Sequence, residues 1–246
     1  GHTPCPSVDN TPRLPILPCT MNDTARIDLH THSFRSDGVL LPSEMLRHAA
    51  VLGYAALAIT DHADASNLEE LITALQRLLV AQPRTHGVEL LIGVELTHVE
   101  PGSIAGLAAH AKRLGAEVVV VHGETIVEPV APGTNHAAIV APDVDLLAHP
   151  GLLTPEDAAL AAARSCLIEI TTRKGHSFAN GHVARVCRAA GAPLVVNSDS
   201  HEPHDLPSAQ FARQVAAGAG LTEDEILAAT VTHPRALLQR ILDARR

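Results

Sequence analysis

Residues 117–122 read EVVVVH, four consecutive valines closed by a histidine. An amphipathic strand alternates apolar and polar side chains, whereas this run has no polar face, so both of its faces must be covered. A parallel strand with helices on either side meets that demand. The same composition recurs along the chain, in RIDLH (26–30), YAALAIT (54–60), ELLIGVEL (89–96), VDLLAH (144–149), LIEIT (167–171) and PLVVNSD (193–199). Between these runs lie helical stretches at 42–52, 67–80, 103–114, 155–164, 182–190 and 208–217, and a last pair at 222–230 and 234–246. Pro42 followed by Ser43 and Glu44, and Thr154 followed by Pro155 and Glu156, are helix-start signals. Seven strands alternating with helices predict an α/β fold, a (βα)7 TIM-like barrel, with an open doubly wound sheet as the second choice.

The 246-residue length fits one core of this kind, and hydrophobic residues make up 46% of the chain. Residues 1–25 form a tail ahead of a single domain over 26–246. Five of the seventeen prolines fall within the first 20 residues, Gly1 and His2 read as a tag scar, and Met21 as an internal or native start. No apolar run approaches membrane-spanning length and no signal peptide stands out, so the expected compartment is the cytoplasm and no membrane partner is expected. Cys5, Cys19, Cys166 and Cys187 form no CxxC pair. Cys166 and Cys187 read as buried inert thiols, and a cytoplasmic chain disfavours a Cys5–Cys19 bridge. A net charge of -9, with one Tyr, three Phe and no Trp, argues against a stable grip on nucleic acid. The sixteen histidines point instead to metal ligation or proton chemistry.

Their positions sharpen that reading. In a parallel barrel the loops after the strands converge on one mouth. The strand ends deliver His30 and His32, then Asp61 and His62, then Glu95, His122, His149, and finally Asp199 and His201. One histidine after an apolar run is ordinarily structural; six of seven strand ends carrying such a residue is a site. Imidazole and carboxylate donors without thiolates suit zinc, manganese or iron, and the donors outnumber what one ion can take.

In order along the chain, DLHTHSFRSDG (28–38), ITDH (59–62), the Glu of GVE (93–95), VHGE (121–124), AHPG (148–151) and NSDSH (197–201) resemble the PHP family, the polymerase and histidinol phosphatase domain. The resemblance implies a distorted (βα)7 barrel with three divalent ions. By motif, His30, His32, Glu95 and Asp199 would hold the first. Glu95 would bridge to a second on His122 and His149, and Asp37, His62 and His201 would hold a third. Asp28 and Asp61, beside the ligands, are expected to accept hydrogen bonds from ligand imidazoles.

Such a site suits a dianionic phosphate, so the expected activity is hydrolysis of a small phosphomonoester by a hydroxide bridging two metals. Past the sixth strand, Arg173 is expected to clamp the substrate phosphate with support from Lys174, and Arg35 is a second clamp. His176 and His204 are candidates to protonate the leaving group. The loop at 123–135 is expected to be a lid over the pocket, its two glutamates making salt bridges on the rim. His48, His86, His98, His110, His136, His182 and His233 are assigned no role. Competing readings are a histidinol-phosphate phosphatase, a nucleoside-bisphosphate phosphatase or 3'-to-5' exonuclease, and a non-catalytic metal-stabilised module. A metal-dependent amidohydrolase is disfavoured because no strand end supplies a bridging lysine. The substrate, the metal identities and the oligomeric state stay open at this level.

Overall fold

All seven apolar runs become parallel strands. The computed structural model describes residues 24–82 and 86–246. The proline-rich segment with Cys5 and Cys19, up to residue 23, lies outside the described residues. The elements are β1 (Ile27–Asp28), α1 (Pro42–Val51), β2 (Ala56–Ile59), β3 (His62–Ala63), α2 (Leu68–Ala81), β4 (Glu89–Leu96), α3 (Ile104–Leu114), β5 (Val118–His122), α4 (Thr134–Val140), β6 (Leu146–Ala148), α5 (Pro155–Arg164), β7 (Leu167–Thr171), α6 (Asn180–Ala190), β8 (Leu194–Asn197), α7 (Ala209–Gly218), α8 (Glu223–Leu227) and α9 (His233–Ala244).

The sheet order is β1-β2-β4-β5-β6-β7-β8, with β3 resuming the second strand beside β4. Its edges meet beyond the strand ends. Thr31 bridges Ser200 in parallel, His32 N donates to Ser200 O at 2.8 Å, and Asp199 N donates to His30 O at 2.9 Å. The result is a nearly closed seven-position barrel, as the pattern predicts.

Alternation along the strands explains both layers of the core. Ala56, Ala58, Leu91, Val118, Val120, Leu146, Ala148, Leu167 and Val195 pack inside, with Leu237, Leu238 and Ile241 of α9 closing the bottom. Leu57, Ile59, Ile92, Val119, Val121, Ile168 and Val196 face the helices. Continuing each inward face upward reaches Glu95 from Leu91, His122 from Val120, Glu169 from Leu167 and Asp199 from Val195. The bottom is therefore apolar and the mouth carries donors.

Two elements differ from expectation. The stretch 123–135 is not loop throughout, because α4 begins at Thr134; at seven residues it is too short for its periodicity to stand out. The last two helices are joined through a π-type turn at Ala228–Thr232. Pro234, which has no N–H to continue the ladder, follows directly. Cys166 and Cys187 are buried free thiols, and burial pushes each up to about 12. Among the described residues no helix is long and apolar enough to cross a membrane.

Candidate metal centre

The donors expected from the strand ends converge. His30 and His32 face each other through their Nε2 atoms at 3.1 Å. Around them, His30 Nε2 is 3.2 Å from Glu95 Oε1, and His32 Nε2 is 3.2 Å from Asp199 Oδ1. A tetrahedral ion with bonds of 2.0–2.1 Å sets its donors about 3.3 Å apart. Beside this group, Asp37 Oδ1 lies 3.0 Å from His201 Nε2 and 3.3 Å from His62 Nε2, and His32 completes a four-residue cluster. His149 stands between two groups, one with His30 and Glu95 and one with His122 and His176. His122 and His149, expected on one ion, thus stand in one group. Glu95, however, groups with His149 and His30 rather than with His122.

The chemistry of the set fits cations. Glu95 and Asp199 are buried carboxylates, and placing an ionised carboxylate there costs several kcal/mol unless positive charge meets it. No lysine is paired with either among the described residues, and the nearest guanidinium, Arg173 Nε, is 4.0 Å from Asp199 Oδ2. Among the described residues Glu95 Oε1 accepts no hydrogen bond, His30 Nε2 standing 3.2 Å away as an ion-pair neighbour only. Imidazoles face these carboxylates instead. Burial opposes charging of His30, yet Glu169, Glu95 and Asp199 raise it well above its ordinary value. His62, likewise against burial, is raised to about 10 by Glu95 and Asp37. Burial lowers His32, and burial with the neighbouring His122 lowers His149 far. Asp37 and Asp199 are held below the usual carboxylate range by facing imidazoles that outweigh their burial.

The outer supports are not the expected ones. Asp28 accepts from Arg26 Nη2 at 2.8 Å and from the backbone of His30 and Ser198. Asp61 accepts from Ser33 N, Ser33 Oγ and Ser36 Oγ at 2.6–2.8 Å. Among the described residues neither is hydrogen-bonded to an imidazole; Asp61 orders the loop that follows β1, and Asp28 ties the end of β1 to the segment after β8. Support of an imidazole falls to Glu169, whose Oε2 accepts from His30 Nδ1 at 2.8 Å and from Asn197 Nδ2 at 3.0 Å. A lone carboxylate on the inward face of LIEIT is the signal that points to it. Backbone carbonyls serve elsewhere: His122 Nδ1 faces Gly123 O at 3.2 Å and His201 Nδ1 faces Asp199 O at 2.9 Å. Each leaves the other ring nitrogen turned to the cluster.

The remaining candidates divide. Arg173 is half-buried at the mouth, with Nη1 3.2 Å from Asp205 Oδ2. That carboxylate is fixed by the backbone N–H groups of His201 and Glu202. Lys174 is exposed, and Arg35, also exposed, lies over the Phe34 ring at 5.4 Å and lines a groove along α2 with Arg77. His204 has a side chain 72% exposed and pairs with Glu202 and Asp205, away from the cluster. His176 is buried, its ring stacked at 4.2 Å on His149 and its Nδ1 2.7 Å from Thr125 Oγ1. Burial lowers its pKa.

His98, assigned no role, and Glu128, expected in a salt bridge on the rim, both belong to the mouth. Glu128 sits among His98, His122 and His176, and chiefly the hydrogen bond with His122 lowers its carboxyl to about 2. Glu124, by contrast, accepts from Gly133 N and Asn135 N and caps α4. Glu124 closes the VHGE run, whereas nothing in the local sequence marks Glu128, which folding alone brings over the strand ends.

Comparison with known proteins identifies the family. An uncharacterized protein of Methanocaldococcus jannaschii is 46% identical, over 88% of this chain and 100% of its own length. A protein named probable phosphatase, from a Thermoanaerobacter species, is 29% identical over 82% of this chain and 89% of its own. The ribonuclease P protein component 3 of Methanosarcina mazei is 28% identical over 83% and 85%. The expectation of a small phosphorylated substrate has support here, while its companion, that nucleic acid is not a partner, has none. Among solved structures, a histidinol phosphate phosphatase of Lactococcus lactis, bound to zinc, L-histidinol and phosphate, shares the fold. Its TM-score is 0.56 at 16% identity, covering 80% of this chain and 94% of that one. The PHP domain model matches residues 28–174, more than half of the sequence, and the chain belongs to the PHP domain family of metal-dependent phosphoesterases.

Proposed function

We propose that residues 26–246 act as one unit that hydrolyses a small phosphomonoester at a centre of three divalent ions, zinc, manganese or iron. The observation that carries this reading is the meeting, at one barrel mouth, of His30, His32, Asp37, His62, Glu95, His122, His149, Asp199 and His201 beside the guanidinium of Arg173. Bound divalent ions supply Lewis acidity to phosphoryl oxygens and a nucleophile from water near neutral pH.

The chain's own residues supply the rest. His30 and His32 with Asp199, and His32, His62 and His201 with Asp37, hold adjoining positions, and Glu95 and His149 link the first group to His122 and His176. Glu169 fixes the tautomer of His30 by accepting its Nδ1 proton, leaving Nε2 as the donor atom. Arg173, steadied by Asp205, receives the substrate phosphate, since a guanidinium has five N–H donors and Asp205 engages one nitrogen. Arg35, Lys174 and His204 are turned to solvent or to other partners and stand outside this assignment.

The test is a substrate panel of p-nitrophenyl phosphate, histidinol phosphate, nucleoside mono- and bisphosphates and sugar phosphates, offered to protein loaded with zinc, manganese or iron. Turnover of at least one ester, lost in His32→Ala, is the expected result. Full metal loading with no turnover of any phosphoester would leave a metal-stabilised binding module instead.

A further inference from the structure

The loop after β5 is anchored at its base and reaches over the mouth at its tip. Glu124 Oε1 accepts from Gly133 N at 3.0 Å and Asn135 N at 2.9 Å, and Asn135 Oδ1 accepts from Glu124 N at 2.9 Å. Asn135 Nδ2 donates to Pro150 O at 2.8 Å, which ties the loop to the turn that carries His149. Backbone packing there is close enough to require glycine. A Cβ on Gly151, at φ +60, would lie 2.0 Å from Glu124 O, and one on Gly123 would lie 2.2 Å from Ala148 O. Thr125 Oγ1 then meets His176 Nδ1 at 2.7 Å.

From this base the tip places Glu128 against three imidazoles. Its Oε2 is 3.1 Å from His122 Nε2 and 3.2 Å from His98 Nε2, and its Oε1 is 3.4 Å from His176 Nε2. A carboxylate bridging the rim would find lysine or arginine, but the ion pairs of Glu128 among the described residues are all with histidines. Nε2 is also the atom that His122 offers to the cluster, because its Nδ1 is turned to Gly123 O. The 3.1 Å separation that Oε2 makes with His122, and the 3.4 Å separation that the other oxygen, Oε1, makes with His176, are each near the edge of about 3.3 Å expected between two donors on a tetrahedral ion. His98 takes a left-handed backbone, φ 51, sparsely populated by residues other than glycine, while its ring lies 5.0 Å from that of His122.

We propose that Glu128 is a metal ligand delivered by the loop, adding its carboxylate to the cation position that His122 serves, and that His98, which groups with both, is the residue that positions it. The proposal rests on the reading that the strand-end donors hold ions. It adds a carboxylate to an otherwise all-imidazole group and makes the loop's placement depend on that ion's occupancy.

The experiment compares the full wild-type chain with Glu128→Gln, Glu128→Ala and His98→Gln. His136→Ala, whose ring pairs with Asp157 on the surface, is the control. Metal-free proteins are titrated with zinc against a chromophoric chelator, ions per chain are counted after gel filtration, and the visible absorption of the cobalt(II) forms is recorded. The expected result is that both Glu128 variants lose one ion of the wild-type complement on the column, or bind it at least about tenfold more weakly. Their cobalt band should change in shape and intensity. His98→Gln should shift the same ion's affinity less, and the control should match wild type. Unchanged melting of the metal-free variants would show that the fold is intact. Retention of every wild-type ion by both Glu128 variants, with unaltered affinity and spectrum, would overturn the proposal and leave Glu128 an ion pair. Failure of the wild-type chain itself to take up ions would instead remove the metal reading on which the proposal rests.

Discussion

The two ends of the barrel handle charge in opposite ways. At the bottom, Arg245 pairs with Glu117 and Glu89, and Lys112 and Arg240 both pair with Asp145. These are fixed opposite charges around an apolar plug formed by Leu237, Leu238 and Ile241. At the mouth, Glu95 and Asp199 are buried and met by imidazoles that can give up their protons. The bottom pairs its charges with its own side chains, whereas the mouth gathers imidazole and carboxylate donors that could hold cations. One end therefore supports the fold and the other is arranged for chemistry, and substitutions at the two should separate stability from activity.

The largest separation is expected from His32→Ala. It should lower phosphoesterase turnover at least about 100-fold, more than loss of an outer support produces, while far-UV circular dichroism stays as in wild type. At the opposite end Leu238→Ala should lower stability by about 2–5 kcal/mol, read from denaturant unfolding, with the number of bound ions unchanged. Chelation gives the intermediate case. Stripping ions whose dissociation constants lie about 100–1,000 times below their working concentration should lower stability by roughly 3–4 kcal/mol for each ion, seen as a drop in Tm that metal restores. Glu169→Gln keeps the shape of the side chain but removes the charge facing His30, and should weaken metal affinity roughly 10–100-fold. The smallest effect is a pH dependence. His62, raised to about 10 in the metal-free chain, carries a proton at pH 7 that an ion must displace. Metal uptake should therefore release protons, measurable in weak buffer, and affinity should fall as pH is lowered. In the metal-free chain, stability from His62 is fully present below its unfolded value near 6.5 and is lost as pH rises through about 10.

The barrel was legible because a parallel strand covered on both faces must be apolar without alternation, and EVVVVH or YAALAIT suits little else. The donors expected at the mouth were legible for a related reason, since polar residues closing such runs stand out. What escaped was whatever depends on the far partner. Asp28 and Asp61 lie next to metal-binding motifs in sequence, yet they turn to Arg26 and to the serines of the following loop. Arg35 lies inside the motif, but its guanidinium stacks on Phe34 beside the groove along α2. Glu169 is hidden inside a run read only for its hydrophobicity. Glu128 and His98 are separated by 30 residues and meet only because the loop after β5 folds back over the end of β4.

The contrast between the two ends rests on one quantity, the positive charge that the mouth takes from outside. Native mass spectrometry with elemental analysis, on chain stripped of metal and reloaded with zinc or manganese, counts it directly. Three ions per chain, lost stepwise when His32, His62 and His149 are replaced singly by alanine, is the expected result. A chain that binds one ion or none, with those three variants indistinguishable from wild type, would contradict it.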